Sequence, residues 1–356
     1  MAAVKGLLYL ALAGAAIALP LAASGLNAND PATDAQAAPK HHEVKLYSTY
    51  SDTSRMGVPY AKDPSIVRFG GRYLMYYSVP PAKDNKAGGD GFPTGWAIGI
   101  AESRDLKKWT KIGEVLPKQE VERNGIAAPG AVVLNGKVHL FYQTYGNGRK
   151  DAINHAWSSD GVNFERNATN PVFRPTDSPW SAGRAIDAEA FVHNGKVMLY
   201  WATRDPDMKI QMLGVSSAPI DSSFNAGEWT NLSKDGPILK PELPWERECI
   251  EAASIIRKNG KLYMFYAGGY NNQPQQVGVA VSTDGVKWTR LSDQPFLTDG
   301  APGTWNDSES GHPDVFEHGG KSLLFFQGNP DRGKTWTLAA TQIGWNRKGP
   351  YLKHVK

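Results

Sequence analysis

The segment AKDPSIVRFGGRYLMYYS (residues 61–78) decides how the chain is read: a strand-forming run, Gly70-Gly71, then a second strand-forming run rich in aromatic residues. A Gly-Gly pair supplies the two positive φ angles of a tight hairpin turn, so the segment reads as two antiparallel strands. The pattern returns as VVLNGKVHLFYQ (132–143), FVHNGKVMLYWA (191–202), IIRKNGKLYMFYAG (255–268) and VFEHGGKSLLFFQG (315–328). The turn glycines Gly71, Gly136, Gly195, Gly260 and Gly320 are spaced 65, 59, 65 and 60 residues apart. Two separate β-sandwich domains would not produce so regular a period.

A second strand pair follows each hairpin. WAIGIAESRDLKKW (96–109), INHAWSSDGVNF (153–164) and VGVAVSTDGVKW (277–288) share an alternating strand, a polar turn with Asp, and an aromatic opening the next strand; residues 212–229 carry a looser copy. Four strands in each of five units predict an all-β fold, a five-bladed β-propeller of four-stranded blades, because radial packing buries both faces of each twisted sheet. The fifth unit nearly runs out of chain, and HEVKLYSTY (42–50) is available to complete it. No stretch after residue 40 has a long helical apolar period.

The 356 residues include 39 Lys and Arg against 35 Asp and Glu, interspersed and without a basic tract, which argues against nucleic-acid binding. Eleven Trp and 14 Tyr offer rings that can stack on sugars. Residues 1–37 read as a signal peptide and processing region: Lys5, the apolar run at 6–23, then Ala35-Gln36-Ala37 as a cleavage site, with cuts near Ala23 or Ala28 as alternatives. The expected mature protein, residues 38–356, is a single propeller domain, exported to the periplasm or secreted, with no membrane partner after processing. Cys249 is the only cysteine, so no intrachain disulfide is available.

Eight residues before the turn glycine, the innermost strands open on Asp63, Ala128, Asp187 and His312. In the fourth unit one extra turn residue is assumed, which puts the equivalent position nine back, at Glu251. Three carboxylates and a histidine at equivalent positions of a ring converge on one mouth of its channel. There, neighbouring like charges hold one carboxyl protonated while another stays ionised, as glycoside hydrolysis requires. A non-catalytic carbohydrate-binding propeller is the alternative, but binding alone has no need of three convergent acids. Glu246 and Glu248 compete with Glu251 for the acid within ERECIE (246–251), and Glu189 and Asp314 fall on the same strand face as Asp187 and His312, deeper in the channel. Trp96, Trp180, Arg184, Trp245 and Trp305 are the candidate substrate contacts on loops at that face, with Arg149 and Arg204 as further donors. Trp109, Trp229 and Trp288 occupy a repeated outer-strand position and read as core.

On these motifs the mature chain resembles the five-bladed glycoside hydrolases of family 43. The resemblance implies Asp63 as base, Asp187 as the residue that tunes the acid and orients the sugar, Glu251 as acid, and inversion by single displacement. It also implies that His312 faces a calcium or magnesium ion in the central channel, with no organic cofactor. Arabinofuranosides or xylosides are the implied substrates, attacked from a chain end. YAKDPSIVRFGGRYLMYYS, YQTYGNGRKDAINHAWS and ESGHPDVF also resemble the related family 117, whose members release 3,6-anhydro-L-galactose from neoagaro-oligosaccharides. That second likeness implies a homodimer and a share for His312 in acid catalysis, although residues 38–62 are too short for the N-terminal helical element of that family. A phosphorylase like those of family 130 would need a basic phosphate pocket.

Overall fold

The structure is a computed structural model and describes residue 41, residues 43–82 and residues 95–353; the expected leader at 1–37 lies outside the described residues. Four blades are four-stranded antiparallel sheets, each running outward in chain order. Blade one holds β2 (Lys62–Phe69), β3 (Arg72–Val79), β4 (Ala97–Ser103) and β5 (Thr110–Val115). Blade two holds β6 (Ile126–Leu134), β7 (Lys137–Thr144), β8 (Ile153–Ser158) and β9 (Glu165–Arg166). Blade three holds β10 (Ile186–His193), β11 (Lys196–Arg204), β12 (Gln211–Pro219) and β13 (Thr230–Asn231). Blade four holds β14 (Ile250–Lys258), β15 (Lys261–Gly268), β16 (Gln276–Ser282) and β17 (Thr289–Arg290).

Blade five is closed by both ends of the chain. Its inner strands are β18 (Glu309–His318), β19 (Lys321–Asn329) and β20 (Thr337–Asn346), and β1 (Leu46–Tyr50) pairs with the first half of β20. The short β21 (Gly349–Leu352) pairs with the second half. The early strand thus completes the last blade, as the sequence suggested.

All five inner hairpins have the same turn: Gly70-Gly71, Asn135-Gly136, Asn194-Gly195, Asn259-Gly260 and Gly319-Gly320 have φ between 49° and 77° at both residues. This is the left-handed pair that a twisted two-residue hairpin requires. Between the third and fourth strands of blades one, two and four, the polar turn is tied by its aspartate: Asp105, Asp160 and Asp284 each accept two backbone N–H groups from the residues that follow. The tryptophan at the repeated outer-strand position packs on the preceding blade. Trp109 stands edge-on to Phe325, Trp229 to Phe141 and Trp288 to Tyr200. Apolar side chains between adjacent sheets therefore form the core.

Each inner strand also carries a β-bulge near its start, with a left-handed residue at Asp63, Ala128, Asp187, Ala252 and His312 (φ 45–53°). All five stand eight residues before the turn glycine. The fourth unit consequently has no extra turn residue: its equivalent position is Ala252, and Glu251 precedes it by one. In the ladders Glu251 takes the place that Lys62 takes in blade one, immediately before the bulge.

The bulges are held by neighbouring blades. Asp63 N donates to Gln327 Oε1 (3.0 Å), Asp187 N to Gln143 Oε1 (3.0 Å), His312 N to Gln275 Oε1 (3.1 Å) and Ala128 N to Ser78 Oγ (2.7 Å). Two residues further along, Ser65, Glu189, Ser254 and Asp314 accept N–H groups of Ala131, Ile255, Val315 and Ile66, each on the next blade. These bonds satisfy backbone groups that the bulges leave free, and they fix the five strand starts against one another.

Candidate active site

Asp63, Asp187, Glu251 and His312 converge on one pocket at the channel mouth, with Lys62, Trp96, Gln143, Tyr145, Arg184, Arg204, Gln211, Tyr270 and Asn271 also in its wall. Side chains far apart in sequence meet because each follows or precedes a bulge at the same end of an inner strand. His312 Nε2 lies 3.4 Å from Asp63 Oδ1 and 3.6 Å from Asp187 Oδ1, so one imidazole bridges the carboxylates of blades one and three. Donor atoms of Asp187, Glu251 and His312 all lie within 4.8 Å of one another.

The carboxyls are buried but differ in what faces them. Burial pushes Glu251 up, the nearby Asp187 adds to the effect, and together they bring it to about 6. Its Oε1 accepts from Gln275 Nε2 (2.6 Å) and its Oε2 from Gln211 Nε2. For Asp63 burial also works against the charge, but Lys62 Nζ, 3.7 Å from Oδ1, and His312 outweigh it, and the carboxyl stays below its usual range. His312 is drawn the other way: burial opposes its charge, yet Asp63 and Asp187 raise it to about 9. At neutral pH the set is therefore an ionised Asp63, a cationic His312 and a Glu251 that still exchanges a proton.

Lys62 is itself held in place. Its Nζ donates to Asn271 Oδ1 (3.0 Å) and lies 4.6 Å from the centre of the Trp336 ring. Asn271 and Gln327 in turn donate to the buried Glu309, which burial pushes up to about 7. Below the pocket, Asp63, Asp187 and His312 also border a narrower part of the channel that contains Glu189 and Asp314. Those two acids, buried together, are both pushed up and serve the blade-to-blade bonds described above.

The competing acids of ERECIE have other places. Glu246 is buried between blades, accepting from Tyr266 Oη (2.8 Å) and Arg290 Nε (2.7 Å) as well as two backbone N–H groups. Blade two repeats this arrangement with Glu122, Tyr142 and Arg166. Glu248 is exposed on the turn.

Of the aromatic candidates, Trp96 lines the pocket, tilted against Tyr145 at 5.2 Å and edge-on to Tyr60 at 5.9 Å. Trp180, Trp245 and Trp305 are instead packed against the core and are absent from the pocket wall. Trp180 stacks on Trp201 (5.7 Å, 12°) and donates to Ser233 O; Trp245 stacks on Tyr266 (5.9 Å, 21°) and donates to Asp293 O; Trp305 lies against Phe326. Each covers a strand whose partner position is a glycine or a ring, which sequence spacing alone does not reveal: Gly268 and Gly328 have no room for a Cβ beneath Trp245 and Trp305. Arg184 and Arg204 border the pocket, whereas Arg149 is exposed and donates to Pro206 O. Sequence reasoning passed over Lys62, Gln143, Gln211, Gln275 and Gln327. Their signal was available in part: Gln143 and Gln327 close the aromatic runs of β7 and β19, in LFYQ and FFQ.

The sequence profile of glycosyl hydrolases family 43 matches residues 58–350. An extracellular exo-α-(1→5)-L-arabinofuranosidase of Streptomyces avermitilis is 22% identical over 275 residues, covering 70% of this chain and 53% of that protein. A 1,2-β-oligomannan phosphorylase of Thermoanaerobacter sp. is 26% identical over 227 residues, covering 62% of this chain and 67% of that protein. The chain spans about half or less of the length of the arabinofuranosidases it matches. Among solved structures, a thermostable family-43 glycoside hydrolase superimposes with a TM-score of 0.65 at 19% identity, over 83% of this chain and 93% of that one.

Proposed function

The chain belongs to glycosyl hydrolases family 43, and from that premise we propose that it hydrolyses glycosidic bonds at the ends of plant or algal oligosaccharides by single displacement with inversion. The observation that carries this reading is the opposite displacement of two carboxyls in one pocket: Asp63 is held ionised and Glu251 is held near neutrality. Asp63 takes the proton of a water that attacks the anomeric carbon. Glu251 gives its proton to the departing oxygen, since a sugar alkoxide is a poor leaving group. Asp187 raises the affinity of Glu251 for that proton, and His312 is the cation that keeps Asp63 and Asp187 together. Trp96 and Tyr145 supply rings at the pocket wall for a sugar face.

L-Arabinofuranosides are the first substrates to try, given the relatives' names, with xylosides and neoagaro-oligosaccharides next. Export, with residues 1–37 as the leader, accords with the extracellular relative; among the described residues no helix is long and apolar enough to cross a membrane.

Asp187, Glu251 and His312, with donor atoms within 4.8 Å of one another, are the residues that would hold the expected ion, and His312 would have to give up its proton to bind it because a metal ligand must be a neutral imidazole. No step is assigned to an ion. The deciding experiment is proton NMR of the first-formed sugar: inverted anomeric configuration is expected, and retention would remove Asp63 from the role of water-activating base.

A further inference from the structure

Three cations border the pocket, and two of them, Lys62 and Arg184, face a buried carboxylate. Lys62 stands beside Asp63 and is bonded to Asn271. Arg184 faces Asp151, whereas Arg204 has no carboxylate partner among the described residues. Arg184 Nε is buried without a hydrogen bond, with Asp151 Oδ2 3.6 Å away, and its Nη1 donates a long bond to Gln211 Oε1 (3.3 Å). Arg204 Nε donates to the same oxygen (3.2 Å), and its guanidinium lies 5.0 Å from the centre of the Tyr270 ring. Their other nitrogens make no hydrogen bond to any described residue.

Two guanidiniums sharing one neutral amide oxygen is a poor arrangement for a structural purpose. Like charges repel, and each half-buried guanidinium keeps unused donors that water or a ligand must satisfy. A planar oxyanion placed between them would answer both deficits, because the forked donors of arginine match the two oxygens of a carboxylate. The same Gln211 that receives both arginines donates through Nε2 to Glu251, so the pair stands one amide away from the proposed proton donor. If Glu251 protonates the leaving oxygen, the arginines that share Gln211 with it stand beside the leaving sugar.

We propose that Arg184 and Arg204 form an oxyanion subsite that binds the carboxylate of an acidic sugar on the leaving-group side of the scissile bond. The position relative to the scissile bond rests on the hydrolase reading above; the capture of a carboxylate does not. Arg184 and Arg204 would then set specificity for oligosaccharides in which a neutral sugar is attached to a uronate.

The test has a binding arm and a kinetic arm on the full chain. In calorimetric titrations, D-galacturonate and D-glucuronate should bind tenfold or more tightly than D-galactose and D-glucose, as a charge-assisted pair of hydrogen bonds implies. Arg184→Gln and Arg204→Gln should each abolish that difference. In the kinetic arm, kcat/KM is compared for disaccharides that share the non-reducing sugar and differ only in a uronate or its carboxyl-reduced counterpart as leaving unit. The acidic substrate should be favoured tenfold or more, and the ratio should fall towards one in either variant. Equal binding and equal kcat/KM for acidic and neutral partners, with hydrolysis of both, would overturn the subsite and leave the hydrolase reading standing. Uronate binding without hydrolysis of any glycoside would support the subsite and count against the hydrolase reading. Equal losses on acidic and neutral substrates in the variants would make the arginines mere supports of Glu251 and overturn the proposal. Preferential binding of inorganic phosphate, with a sugar 1-phosphate as product, would overturn it in favour of phosphorolysis.

Discussion

Raising the pH from about 6 to about 8 should withdraw the proton donor while sparing the base. With Glu251 pushed up to about 6 by burial and by Asp187, about half the molecules carry its proton at the lower pH and about 1% at the higher. For an oligosaccharide, whose leaving alkoxide needs that proton, kcat/KM should therefore drop about 50-fold across the interval. Asp63 stays below its usual range and is ionised throughout, so it governs only the acid limb. His312, pushed up to about 9, keeps its charge over most of the window. A dinitrophenyl glycoside departs without protonation, and its rate should be nearly flat. In Glu251→Gln the slope with oligosaccharide should vanish, and the rate itself should fall by about 10²–10⁴, the usual share of general acid catalysis. Initial rates of both substrates with both proteins, in buffers of constant ionic strength, provide the comparison. A basic limb that persists in Glu251→Gln, or that is equally steep for the dinitrophenyl substrate, would refute the assignment of Glu251 as donor.

The tryptophans separate by consequence. Trp180→Ala should cost about 2–4 kcal/mol of stability in urea unfolding through loss of its stack on Trp201, whereas Trp96→Ala should raise KM with little change in Tm. Stability itself should decline on the alkaline side. His312 has a higher proton affinity folded than unfolded, so its contribution is complete below about pH 6.5 and is lost as the pH rises through about 9, at about 1.4 kcal/mol for each pH unit in between. Glu309 and Asp314, both pushed up to about 7, act in the same direction between about pH 4 and 7; a Tm that climbs from pH 7 to 9 in calorimetry would contradict this. Exhaustive dialysis against EDTA should leave kcat/KM unchanged, and a loss restored by calcium would put an ion back into the channel.

The sequence by itself determined the five hairpins, the order of the blades, the closing role of the first strand and the convergence of Asp63, Asp187, Glu251 and His312. These follow from local rules: two positive φ angles need Gly-Gly or Asn-Gly at each turn, and a fixed count of eight residues leads back to a bulge that faces the channel. The count of eight holds in blade four as well, without the extra turn residue expected there. The left-handed position there is Ala252, and Glu251 enters the pocket from the preceding residue because the bulge turns the strand.

Only the tertiary structure decided what depends on distance across the ring. Trp96 and Trp180 look alike in sequence, yet one borders the pocket and the other is stacked between blades, since the outcome turns on which neighbouring strand leaves room for a ring. The proton affinities are likewise a tertiary property. Asp63 and Glu251 are both buried acids at strand starts, and they part company because Lys62 and His312 outweigh burial at the first, whereas burial and Asp187 outweigh the same two cations at the second. The glutamines that fasten the bulges belong to the blade before the strand they hold, so those bonds exist only once adjacent blades have packed, whereas Arg204 and Gln211 already meet as cross-strand partners of β11 and β12.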